Sequence, residues 1–127
     1  MAPLILVVED NADNMKLMKW LLEDEGYEFV CAVTGEEALA RLQTSSFDAV
    51  LMDISLPGMD GMAVTRRLRQ DPRFRDLPVV AVTAHAVKGE EEKILASGVS
   101  GIVTKPIEED RFVQTLRSVL KKGCAHG

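Results

Sequence analysis

The chain has 127 residues, 46% hydrophobic and 28% charged, with five prolines; that fits one folded domain with its own core and excludes a disordered chain. Its net charge is −5, with no clustered Lys/Arg stripe, so direct binding to nucleic-acid phosphates is not expected. The longest apolar stretch, Leu4 to Val8, runs into Glu9 and Asp10, too short for a membrane span and without the early Lys/Arg of a secretory signal, so a cytoplasmic chain with no membrane insertion is expected.

Taken in order, five short apolar runs alternate with segments of helical spacing. Leu4–Val8 predicts the first strand. Met15, Met18 and Leu22 recur at three and four residues and predict a helix, with Asp13 as its N-cap and Gly26 as its stop. Glu28–Ala32 is the second strand and carries Cys31. The other cysteine, Cys124, lies in the tail, so reduced thiols are expected rather than a disulfide. Ala38, Leu39 and Leu42 mark a shorter helix. The run Ala49 to Met52 ends on a carboxylate, Asp53, and breaks into the loop "SLPGMDG". Burying an unpaired carboxylate is costly, so Asp53 is either solvated at the strand end or held there for chemistry.

Met62, Val64 and Leu68 indicate a third helix, and Val79–Val82 a fourth strand. The helix Lys88 to Ser97 is thinly anchored, with charges from Glu90 to Lys93 and with Ile94 and Leu95 as its main apolar anchors. Its charges form a solvated face, and its few anchors make it the candidate for the most movable element. Ser100–Val103 is the fifth strand, and Phe112, Leu116, Val119 and Leu120 outline the last helix. Gly35, Gly61 and Gly98 punctuate the junctions. The tail after Cys124, Ala125-His126-Gly127, does not suit prenylation, and His85 and His126 have no metal-ligand spacing. Such alternation predicts an α/β domain, a doubly wound parallel sheet with helices on both faces, over residues 1–122, followed by a short tail, 123–127.

Ligands of doubly wound sheets bind beyond the carboxyl ends of the strands. Here those ends carry Glu9 and Asp10, Asp53, Thr83, and Thr104-Lys105-Pro106. Each alone has a plain explanation as a turn former, helix cap or surface charge; together on one rim they do not. Three carboxylates repel one another and Lys105 offsets one charge, which calls for a divalent cation. Magnesium suits such oxygen ligands, and no His or Cys cluster favours zinc. Thr83 and Lys105 would complete a cradle for a phosphoryl group. The loop "EDNADN" is acidic and lacks the glycines or hydroxyls that cradle phosphate, which weighs against a nucleotide or flavin carrier.

The motifs "VVEDN", "LMDISLPGMDG", "VTA" and "VTKPI", in this order and spacing, resemble the receiver domains of two-component response regulators (CheY-like). The resemblance runs over essentially the whole chain and is closest to DivK-type single-domain regulators, whose acidic pair is also Glu-Asp. It implies a flavodoxin-like five-stranded sheet of order 2-1-3-4-5 with five helices. It implies Asp53 as phosphoacceptor, and Mg2+ held by Asp10 directly, by Glu9 through water, by Asp53 and by the backbone carbonyl of Ser55. Thr83, Ala84, Ile102 and Lys105 fall on phosphoryl-binding and switch positions, and the Lys105–Pro106 bond would be cis. Two departures stand out. Ile102 occupies a position that is often Tyr or Phe in the family, and Glu9 replaces the commoner Asp. Ser55 and His85 occupy variable positions that set phosphoryl lifetime.

The function so implied is Mg2+-dependent acceptance of a phosphoryl group by Asp53 from a histidine kinase or histidine phosphotransfer protein. The change would then control a downstream protein through the face of the fourth helix, fifth strand and fifth helix, or the group would pass to a further histidine. No enzyme activity is expected beyond assisting the chain's own phosphotransfer and autodephosphorylation. No output domain is expected after Lys122, and a free-standing protein is expected rather than a receiver cut from a hybrid kinase. The alternative is a small phosphatase that forms an aspartyl phosphate. Such enzymes usually place a second Asp two residues after the first, where this chain has Ser55.

Overall fold

Alternating strands and helices wind into one parallel sheet of order β2-β1-β3-β4-β5. The computed structural model describes residues 2–54, 60–84 and 88–124, with the backbone alone at 88, 89 and 121–124. The elements are β1 (Leu4–Val8), α1 (Ala12–Asp24), β2 (Glu28–Ala32), α2 (Gly35–Thr44), β3 (Ala49–Asp53), α3 (Gly61–Gln70), a 3-10 turn (Pro72–Phe74), β4 (Val79–Thr83), α4 (Lys88–Ala96), β5 (Gly101–Thr104) and α5 (Glu109–Cys124). All four strand pairings are parallel, with Val8 opposite Met52, Asp53 opposite Val82 and Thr83 opposite Thr104. Among the described residues no helix is long and apolar enough to cross a membrane.

The period of two along each strand divides the core. Leu6, Val8, Val50, Met52 and Ala81 pack with Ala38, Leu42, Val64, Leu68 and Ile94 from α2, α3 and α4. Ile5, Val7, Leu51, Val80 and Val82 pack on the opposite face with Met18, Leu22, Phe112 and Leu116 from α1 and α5. Burial on both faces explains why β1, β3 and β4 read as continuous apolar runs rather than alternating ones. Truncating a side chain such as Leu51 in this core costs about 2–5 kcal/mol.

Several sequence expectations shift by a residue or two. The N-cap of α1 is Asn11, whose Oδ1 accepts the Asn14 N–H at 3.0 Å, and Asp13 sits instead in the first turn. Gly26 does end α1, with a φ of 80° that a side chain would strain. β3 and β4 extend through Asp53 and Thr83, and β5 runs Gly101–Thr104. On α4, Ile94 is fully buried but Leu95 is exposed. Neighbouring residues on a helix point about 100° apart, so one of the two anchors the helix and the other faces out.

The C-terminal end of α4 is tied from below by Arg69 of α3. Its Nε donates to the Gly98 carbonyl at 2.8 Å and its Nη1 to the Phe74 carbonyl at 2.7 Å. Gly98 has a φ of 104°, and a Cβ there would lie 2.8 Å from Arg69 Cγ. The turn needs glycine both for its backbone and for this contact.

Candidate functional site

Parallel strands bring their carboxyl ends to one edge of the sheet, and the side chains at that edge meet. Glu9 follows β1, its N–H bonded to the Ala32 carbonyl at 3.0 Å. Asp53 closes β3 and Thr83 closes β4. The Lys105 N–H bonds the Thr83 carbonyl at 2.7 Å, which carries Lys105 over the same edge, and the Lys105–Pro106 bond is cis. Glu9 and Asp53 are 1% and 2% exposed, whereas Asp10 faces solvent. One carboxylate oxygen from each of Glu9, Asp10 and Asp53 lies within 4.8 Å of the other two. The Lys105 ammonium sits 3.2 Å from Glu9 Oε1 and 3.5 Å from Asp53 Oδ2.

Burial pushes the Glu9 carboxyl up to about 7, and the neighbouring Asp53 adds to the rise through a hydrogen bond and its charge. The Asn11 N–H, 3.2 Å from Glu9 Oε2, and the Lys105 ammonium pull the other way. Glu9 Oε1 is buried and accepts no well-formed hydrogen bond. Three carboxylates against one ammonium leave excess negative charge when all are ionised. These donors suit a hard divalent cation: an all-oxygen set without His or Cys among the clustered residues, with a buried oxygen that meets the Lys105 ammonium without a well-formed hydrogen bond. Magnesium fits them; zinc has no nitrogen or sulfur ligand there.

Gly61 belongs to this site, although from the sequence it is only a junction marker. α3 starts against the end of β3, with Asp60 Oδ1 capping the Ala63 N–H at 2.8 Å and the Gly61 N–H on the Ile54 carbonyl at 3.2 Å. A Cβ on Gly61 would overlap the Asp53 carbonyl oxygen and stand 2.9 Å from Met52 Cγ. The buried Thr65 hydroxyl holds the same turn by donating to the Gly61 carbonyl at 2.8 Å. The signal was the Asp60-Gly61 pair before a helical pattern, an N-cap followed by a residue without a side chain.

The remaining candidates are placed more loosely. Thr83 is buried beside the cluster's strands, and Ala84 is exposed just beyond it. Ile102 is half-buried on β5 opposite Ala81 and floors a groove of about 270 Å³ between α4 and α5, with Glu91 and Arg111 on its walls. Ser55 and His85 lie outside the described residues. Cys31 is a half-buried free thiol whose pKa is raised by burial.

A family model, the response regulator receiver domain, matches residues 5–117. The chain belongs to this family. This receiver domain is 44% identical over 116 residues to the polar-differentiation response regulator DivK of Brucella ovis, an alignment spanning 91% of this chain and 94% of that one. Among solved structures it is similar to the receiver domain of sensor histidine kinase PA1611 from Pseudomonas aeruginosa, which has a magnesium ion coordinated in its active site cleft. The TM-score is 0.88 and the identity 30%, over 95% of this chain and 99% of that one. It is likewise similar to the chemotaxis response regulator CheY4 of Vibrio cholerae, with a TM-score of 0.88 and 27% identity over 94% and 99% of the two chains. The fold is therefore the CheY-like one, and the receiver domain is a signalling protein of the two-component type.

Proposed function

We propose that Asp53 is the phosphoacceptor and that Glu9, Asp10, Asp53 and the Ser55 carbonyl hold Mg2+ beside it. One Asp53 carboxylate oxygen attacks the phosphorus of a phosphohistidine, the P–O bond forms as the P–N bond breaks, and the leaving imidazole nitrogen regains a proton from solvent. Bound Mg2+ supplies positive charge for the phosphoryl oxygens. Lys105 stands ready to pair with them, and the Thr83 hydroxyl to donate to one. The donor is a histidine kinase or a histidine phosphotransfer protein. The added charge and acceptor oxygens then draw Thr83 and Lys105 and bias the α4–β5–α5 face, where a downstream protein docks; alternatively the group moves on to a further histidine.

The observation that carries this reading is the Lys105 ammonium reaching both Glu9 and Asp53 at the ends of two different strands. A phosphatase of the aspartyl-phosphate type would want a general acid two residues past Asp53, where this chain has Ser55. Incubation with phosphoramidate and Mg2+, read by intact mass, is the test. The wild-type chain is expected to gain one phosphoryl group that hydroxylamine removes, and Asp53→Asn none. An equal gain in Asp53→Asn overturns the assignment, and sustained turnover of small phosphate esters favours the phosphatase.

A further inference from the structure

Parallel strands send each helix back from the same edge, so α1 to α5 all start at the pole where Glu9, Asp10 and Asp53 meet and run away from it. Charge is sorted along that axis. The first turns hold Asp13 on α1, Glu36 and Glu37 on α2, Glu90 and Glu91 on α4, and Glu109 and Asp110 on α5, with Lys88 and Arg111 as their cations. The last turns of α2 and α3 carry Arg41, Arg67 and Arg69 instead. All of these first-turn acids except Glu37 are exposed, and among the described residues no ion pair neutralises them.

Part of this sorting is ordinary, since a helix N-terminus carries about half a positive charge and favours an acid beside it. The seven first-turn carboxylates exceed their two cations by about twice what five helix ends supply. Lys105 adds little outward, because its ammonium is already shared between Glu9 and Asp53, and the buried Glu9 Oε1 still lacks a well-formed hydrogen bond. Bound Mg2+ would answer the three clustered carboxylates and leave the surrounding ring of helix ends negative. Whatever delivers a phosphoryl group to Asp53 must cross that ring. A small acyl phosphate, a nucleic acid or an anionic membrane is repelled by it, whereas a protein surface rich in Lys and Arg is attracted. Steering of this kind raises association rates by about 10–10³-fold and fades with salt. We infer that the acidic ring is the landing surface for a phosphodonor protein whose phosphohistidine is surrounded by basic side chains. The inference rests on Asp53 as the phosphoacceptor, as proposed above.

The test uses three synthetic peptides, each with one chemically made phosphohistidine, flanked by lysines, by serines or by glutamates. Phosphoryl transfer to the full chain with Mg2+ is followed by intact mass. At about 20 mM salt the lysine-flanked peptide is expected to label the protein at least tenfold faster than the glutamate-flanked one, and at about 300 mM the gap should shrink to about threefold or less. Salt should slow the first peptide, speed the last and leave the serine-flanked one nearly unchanged. Neutralising the α4 and α5 ends together, with Glu90→Gln, Glu91→Gln, Glu109→Gln and Asp110→Asn, should narrow the gap at low salt while the serine-flanked rate stays within about twofold. Circular dichroism checks that this variant is folded, and the salt comparison on the wild-type chain needs no variant. Equal rates for the three peptides, a gap that salt does not shrink, or a gap unchanged in the folded variant overturns the inference. Labelling by phosphoramidate but by no peptide overturns this inference alone, whereas labelling by neither overturns the Asp53 assignment and the inference with it.

Discussion

A carboxyl group held below the surface beside a second carboxylate keeps its proton further up the pH scale, and Glu9 does so to about 7 against 4.5 when unperturbed. The folded metal-free protein therefore binds one more proton than the unfolded chain between those values. Its contribution to stability is complete below pH 4.5 and is lost as the pH rises through 7. Where Glu9 helps hold Mg2+, as proposed, the ion competes with that proton, so thermal melts should show Mg2+ raising Tm more at pH 8 than at pH 5.5, and chelation removing the gain. Gly61 is a second residue whose change is felt at the site. Gly61→Ala forces a methyl onto the Asp53 carbonyl oxygen, and overpacking of this kind costs about 1–3 kcal/mol. Urea denaturation should show that loss, and Mg2+ titration a weaker affinity. Convergence of Glu9, Asp53 and Lys105 was legible before any coordinates, because parallel strands must put their carboxyl ends on one edge. The role of Gly61 was not, since it depends on how closely two separate elements approach.

Arg69 decides how α4 is held. Arg69→Met keeps much of the side-chain volume but leaves the Gly98 carbonyl without the Arg69 donor, while the Phe74 carbonyl keeps the Leu77 N–H at 3.3 Å. The loss at that part-buried acceptor costs about 1–3 kcal/mol. Amide hydrogen exchange at 94–98 is expected to quicken while that of β1 and β3 stays as slow as in the wild type. Element type was readable from periodicity throughout, whereas element ends were not. Asp10, Asn11 and Asp13 are all able to cap α1, and only the turn after Glu9 selects Asn11. Leu95 and Ile94 are equally apolar in sequence, and only the packing of the helix on the sheet shows which is buried and which exposed.

Across the whole molecule, the acidic edge and the α4–β5–α5 face occupy different parts of the surface. If charge added at Asp53 acts through Thr83 and Lys105, beryllofluoride with Mg2+ should change hydrogen exchange across 88–104 and leave β1 and β2 unaltered. Equal exchange with and without the mimic, at saturation judged by fluorine NMR, rules that coupling out. The order β2-β1-β3-β4-β5 was recoverable from motif resemblance. α3 begins in contact with the Asp53 main chain and ends beside Arg67 and Leu68. With no side chain at Gly61 to hold the two apart, one close backbone contact sets both where the helix starts and where the main chain of Asp53 lies.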